Sequence, residues 1–220
     1  MIAKLQLSTT KGFARTAQSS VTEYLRQAIL AGDLPAGTRL VQAELAEALN
    51  VSVTPIREAL RELSTEGLID LDAFRGAVVH TPALEELENI YEVRAALMPL
   101  NIHKSIEAIS VRELDEAEKI LDLMEQETSQ TRWIELNRQF HELLHSTNKN
   151  EQLKDILQRL ADIASIYINL SLLKQPLQQG VSNDEHQAIL KSYRDRDVDR
   201  AIALSLDHIN STLEAARQAF

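Results

Sequence analysis

Cysteine is absent from this chain of 220 residues, which excludes disulfides and thiolate metal ligands and leaves nothing that asks for an oxidising compartment. Glycine and proline are scarce, at 6 and 5 residues. With many Leu, Ala, Glu and Gln beside them, that scarcity predicts a mostly helical globule. No apolar run approaches the roughly 20 residues needed to span a bilayer, so no membrane association is expected. The N-terminal stretch has two lysines but no unbroken apolar segment followed by a small-residue cleavage site. No secretory signal is therefore expected, and the expected compartment is the cytoplasm. Internal repeats and low-complexity tracts are also missing.

The formal net charge of −10 opposes loose binding to polyanions until it is divided along the chain. Residues 1–80 carry 8 Lys and Arg against 9 Asp and Glu, whereas residues 81–220 carry 15 against 24. The excess acid belongs to the second part. A near-neutral first part can present a basic face if its acids point elsewhere.

Residues 1–14 are polar and aperiodic and read as a loose tail; 15–80 form a first domain, 81–84 a linker and 85–220 a second domain. Apolar spacing predicts a helix from about Ala17 to Ala31, with Val21, Leu25, Ala28 and Ile29 on one face. Gly32 ends it, and Asp33 to Gly37 turn the chain into a short extended stretch at Arg39-Leu40. A second helix spans about Gln42 to Leu49. After the turn Asn50-Val51-Ser52, a third begins with Ser52 or Thr54 as N-cap and Pro55 in its first turn, and reaches about Glu66. Its core stripe is Ile56, Ala59, Leu60 and Leu63. Leu68 to Leu71 and Ala77 to His80 read as strands joined by Asp72-Ala73-Phe74-Arg75-Gly76. Beyond Thr81-Pro82 only helical segments follow, near 84–108, 111–127, 131–147, 150–174, 181–195 and 198–219. Turns such as Thr147 to Asn150 and Gln179-Gly180 separate them, and Pro99 predicts a kink or break in the first. The fold class is mainly α: a winged helix-turn-helix followed by an all-α antiparallel bundle.

A winged helix-turn-helix places one helix end in a DNA groove, and the third helix is equipped for that. With Ile56, Leu60 and Leu63 in the core, Arg57 and Arg61 lie together on a neighbouring face. Arginine there can grip guanine O6 and N7 or clamp a phosphate, while the helix N-terminus offers backbone N–H groups to an anion. Ser52 and Thr54 are short donors at the same end. Arg75-Gly76 at the hairpin tip suits a minor-groove or phosphate contact, since glycine lets the backbone come close. The competing assignment pairs Arg57 and Arg61 with Glu58 and Glu62 on a solvated surface.

LPAGTRL, ELAEALNVSVTPIREALRELSTEGLI and FRGAVV resemble the N-terminal domain of the GntR family of bacterial regulators, in its FadR-like branch. The resemblance implies a homodimer on palindromic double-stranded operator DNA, with Ser52, Val53, Thr54, Arg57, Arg61, Arg75 and Gly76 at the DNA. Val53 stands where that branch usually has arginine, which removes one base or phosphate contact and leaves a methyl-bearing side chain suited to a thymine.

His141 lies on the third helix of the acidic domain, with Asn137 one turn before it. His186 and His208 lie on the fifth and sixth, 22 residues apart. A hairpin turning near Asp195-Arg196-Asp197 brings these two imidazoles to matching heights, and three neutral imidazoles meeting inside a bundle make a transition-metal site. NRQFHELLH, DEHQAIL and LSLDHIN are similar to the effector-binding FCD domain of the FadR-like branch. That similarity implies a divalent metal held by His141, His186 and His208, with Asn137 where the family usually has Asp, beneath a pocket for a small carboxylate. Zinc is the expected ion, with nickel or another transition metal as the alternative. It also implies that Arg94, in YEVRAALMP, faces the pocket as a carboxylate clamp, against a surface pairing with Glu92. Six helices rather than seven match the shorter VanR-like subgroup.

His141 to His145 also spell H-E-x-x-H, the zinc-protease signature. A protease needs a substrate cleft, commonly edged by a strand, and no strand is expected beyond residue 81. A second alternative is a metal or small-acid sensor that acts on a protein partner. The expected class is a non-enzymatic, ligand-responsive transcription regulator.

Overall fold

The computed structural model describes residues 17–72, 76–81, 83–174 and 178–218. The tail expected over residues 1–14 lies outside them. The chain divides into two compact units, one up to Thr81 and one from Pro82 onward.

In the first unit, α1 (Ala17–Leu30) buries Val21, Leu25, Ala28 and Ile29, the face expected from their spacing. Gly32 then reverses the chain at φ +82°. The short strand β1 (Arg39–Leu40) leads to α2 (Gln42–Leu49), which stops at Asn50 in the left-handed region, φ 53° and ψ 46°. The N–H of Val51 returns to the carbonyl of Ala46 at 3.0 Å, closing the turn. This sets the direction of α3 (Val53–Thr65), whose Ile56, Ala59, Leu60 and Leu63 are all buried. Ser52 occupies the N-cap position but makes no side-chain capping bond. Arg26 fastens α1 to the end of α3 by two hydrogen bonds to Glu66, at 2.6 and 3.1 Å. Strands β2 (Ile69–Asp72) and β3 (Gly76–Val79) pair antiparallel with Asp72 opposite Gly76, and β1 adds to the free edge of β3. Residues 73–75 of the hairpin lie outside the described residues.

The second unit contains six helices among its described residues: α4 (Leu84–Ala108), α5 (Val111–Gln126), α6 (Gln130–His145), α7 (Glu151–Lys174), α8 (Gln178–Arg194) and α9 (Val198–Arg217). Helix α4 packs against α9, α7 and α6, and α5 packs against α6 and α8. Pro99 leaves α4 continuous from Leu84 to Ala108, the span expected, with Met98, Asn101 and Ile102 beside it buried. One expectation needs correction. Gln179-Gly180 is not a turn but part of the first turn of α8, where glycine's missing side chain costs little. The α8–α9 hairpin turns at Asp195 to Asp197, as expected, with Arg196 at φ 56°. The Arg196 guanidinium donates to the carbonyl oxygens of Ile106 and Ile109 and so ties this turn to the end of α4.

Candidate functional site

The first candidate surface is the start of α3. Ser52, Val53 and Thr54 are exposed, Val53 at 44%. Arg57 and Arg61 are exposed at 49% and 64% of their side-chain surface, one turn apart above the buried stripe. Both reach the same Glu58 oxygen, at 3.4 and 3.5 Å, the long edge of hydrogen bonding. Exposed pairs of this kind contribute about 0–1 kcal/mol, so the guanidinium groups are available to a stronger anion. Glu62 is engaged elsewhere, accepting from the Thr22 hydroxyl at 2.9 Å. Arg75 lies outside the described residues. Gly76 opens β3 at φ +76°, and a Cβ built on it would meet nothing within 4 Å, so its role is conformational freedom in an open place.

The second candidate site lies within the helical unit. His141 from α6, His186 from α8 and His208 from α9 bring one nitrogen each to within 4.8 Å of one another. The Nε2 atoms of His186 and His208 are 3.3 Å apart. Glu185 Oε2 lies 2.6 Å from His208 Nδ1, a contact that orients the ring with Nε2 toward the cluster. Burial holds His141 and His186 well below the ordinary imidazole range, reinforced in both by neighbouring histidines. Both are therefore neutral, the ligating form. Asn137 Oδ1 is buried without a partner one turn before His141, and Asn137, His141 and His208 line a common cavity. A buried oxygen lone pair beside three converging imidazoles fits a divalent transition metal.

The cavity encloses about 320 Å³ between α4, α6, α7, α8 and α9. Arg94 on α4 lines it, with its guanidinium carbon 4.9 Å from the ring centroid of Tyr91. The pairing with Glu92 does not form, and Arg94 makes no carboxylate ion pair among the described residues. Most of the remaining wall is apolar, with Met98, Trp133, Ile134, Leu157 and Ile209 contributing.

His145 does not join the cluster. Its Nδ1 lies 3.4 Å from the Tyr193 hydroxyl, and burial, followed by the positive Arg94, lowers its pKa to about 4. Glu142 is half-exposed and paired with Arg138 at 3.2 Å rather than aimed at the imidazoles. The H-E-x-x-H spacing is thus divided between a cluster histidine, a surface ion pair and a buried polar contact. Sequence reading missed Glu185, which orients His208, and two cavity-wall residues with a buried polar atom that has no partner among the described residues, Ser205 at Oγ and Asn101 at Nδ2. Glu185 directly precedes His186, and only the α8–α9 pairing reveals that it serves His208 instead.

The profile described as bacterial regulatory proteins, gntR family, matches residues 17–79, and the FCD domain profile matches residues 89–211. The chain belongs to the GntR family. Among relatives of this GntR-family chain, the uncharacterised regulator YdhC of Bacillus subtilis is 29% identical over 194 residues, covering 86% of each chain. The gluconate operon transcriptional repressor of Bacillus licheniformis is 28% identical over 201 residues, covering 86% of this chain and 82% of its own. The structure of E. coli McbR/YncC superposes with a TM-score of 0.85 at 19% identity, covering 93% and 99% of the two chains, and shows the same fold. The GntR-family protein is thus a transcription regulator with an FCD effector domain rather than an enzyme.

Proposed function

We propose that this regulator binds palindromic operator DNA as a homodimer, and that a small carboxylate held at a divalent metal in its helical unit sets the DNA affinity. The observation that carries the reading is a cluster of three converging imidazoles, two of which, His141 and His208, line a cavity shared with a guanidinium that has no acid partner among the described residues. His141, His186 and His208 would hold the metal, with Asn137 contributing its amide oxygen. A metal bound there supplies a Lewis-acid contact for one oxygen of a carboxylate. Arg94 is the charge partner for the acid as a whole, stronger inside a mostly apolar wall than it would be in water. Six helices among the described residues of this unit support the shorter VanR-like subgroup. A relative named for a gluconate operon is in keeping with an acid as the signal. Zinc is the proposed ion, and the cytoplasm the proposed compartment.

On the DNA side, Arg57, Arg61 and the exposed Ser52-Val53-Thr54 end of α3 enter the major groove, with Arg75-Gly76 of the hairpin at an adjacent groove or phosphate. Dimerisation follows from the two-fold symmetry that such sites require. Control of this kind needs only about 1–3 kcal/mol of coupling between acid and DNA. Residue His80 is followed by Leu84 at the start of α4 after a short connection, so a shift of α4 has little chain to absorb it.

Two measurements test the proposal. Duplex binding titrated against salt must weaken steeply and linearly in logarithmic form; salt-independent binding would favour a protein partner instead. Elemental analysis with a thermal-shift screen of small carboxylates must find bound metal and at least one stabilising acid. His145→Ala should retain the metal, whereas its loss would place His145 among the ligands and overturn the three-histidine assignment.

A further inference from the structure

Along α4, Arg94, Met98 and Asn101 share one face and line the cavity, and Asn101 is fully buried. Seven positions separate Arg94 from Asn101, about 10 Å of helix. Which end of the Asn101 amide is spoken for follows from its neighbour. The backbone N–H of Asn150 donates to Asn148 Oδ1 at 2.7 Å, so Asn148 turns its NH₂ the other way. That NH₂ donates to Asn101 Oδ1 and to the carbonyl of His145, the latter at 3.2 Å. Asn101 therefore gives its oxygen to Asn148 and keeps its own Nδ2 unspent. This Nδ2 is buried and has no partner among the described residues. The next polar groups along α4 are already engaged: Ser105 Oγ lies 3.2 Å from the Tyr193 hydroxyl, which in turn faces His145 Nδ1.

A buried amide donor without an acceptor is unfavourable unless something occupying the cavity supplies one. The geometry points to a bifunctional effector: a carboxylic acid that carries a neutral oxygen acceptor several bonds away, docked on Asn101 Nδ2, with the apolar chain between them lying against Met98. A ketone, amide carbonyl or hydroxyl oxygen meets the requirement. A second carboxylate would also accept from Nδ2, but it would bring a charge beside an amide and a thioether, and the further cations of the cavity wall, Arg138 and Lys154, are paired with Glu142 and Glu151. Selection for such a ligand works by the asymmetry between a paired and an unpaired buried donor. An acid lacking the oxygen fills the same space but leaves Nδ2 bare. The inference rests on the reading that an acid occupies the metal end of the cavity.

The test uses the full-length, zinc-loaded protein and isothermal titration with pentanoate, hexanoate and heptanoate, each beside 4-oxopentanoate, 5-oxohexanoate or 6-oxoheptanoate. At one length at least, the oxo acid should bind about tenfold tighter than its plain counterpart. Asn101→Leu should bring the two within about twofold of each other while plain-acid affinity holds. Asn101→Asp retains an acceptor for Asn148 and should also abolish the preference, which guards against a folding defect in the leucine variant. Plain acids binding with no oxo preference at any length overturns this inference alone. A preference that survives both substitutions, or an equal loss of plain and oxo acids in Asn101→Leu, does the same. If no acid of either kind binds, the metal-and-acid reading falls with it.

Discussion

Arg57 and Arg61 owe their availability to what lies beneath them. Ile56 and Leu60 are in the core, so the arginines one position further along are turned outward, and the acid that both reach among the described residues is a partly exposed Glu58 at the limit of hydrogen bonding. Arg57→Ala should weaken operator binding by roughly 1–3 kcal/mol and relax base preference at one position, as read by competition between operator variants. If affinity and preference both stay unchanged, this face of α3 does not read bases. Asn137 is the residue that sets this cavity apart from the pattern the sequence resembles. An amide oxygen is a weaker donor than a carboxylate and leaves the site one unit more positive. Asn137→Asp should therefore tighten zinc binding by roughly tenfold and weaken acid binding to the zinc-loaded protein. Calorimetry showing neither change would remove Asn137 from the site.

Among the elements, the helix starts carry identifiable stabilisation. Ser110 and Glu113 form a reciprocal capping box at α5: the Ser110 hydroxyl accepts from the Glu113 N–H at 3.2 Å, and the Glu113 carboxylate accepts from the Ser110 N–H at 2.7 Å. Ser110→Ala should cost about 1 kcal/mol in chemical denaturation. The hydrogen bond from the Ser110 backbone holds the Glu113 carboxyl below its ordinary 4.5. A depressed carboxylate contributes stability above the unfolded value and loses it as pH falls, so the margin over Glu113→Ala should narrow as pH drops through 4.5 and below. A margin that is constant with pH would show that the carboxylate's charge contributes nothing. Element boundaries were legible wherever a cap or a glycine marks them, as at Gly32, Asn50 and the Asp195 to Asp197 turn. The boundary at Gly180 was misread, because local propensity is overridden where the position falls in a helix's first turn.

On the scale of the molecule, two units with separate cores should respond separately to the metal. Calorimetry of the zinc-loaded protein should show the transition of the helical unit fall on chelation by the stability that binding supplies, about 2.7 kcal/mol at a hundredfold excess over Kd. The transition of the winged unit should stay in place. A common shift of both would mean that the units unfold as one.

The sequence by itself determined the class of fold, the order of the helices, the outward face of α3 and the three histidines, because periodicity, caps and turn residues are local properties that act over a few positions. It also pointed to Arg94, through a resemblance rather than through spacing. Tertiary structure alone decided that His145 turns to Tyr193 while His141 turns to the cluster, that Glu185 orients His208, and that Asn101 is left with an unspent donor. Those facts depend on which side chains from distant helices meet in one buried volume. Hydrogen-bond capacity there is shared among residues up to about ninety positions apart, and no window of sequence records how it is divided.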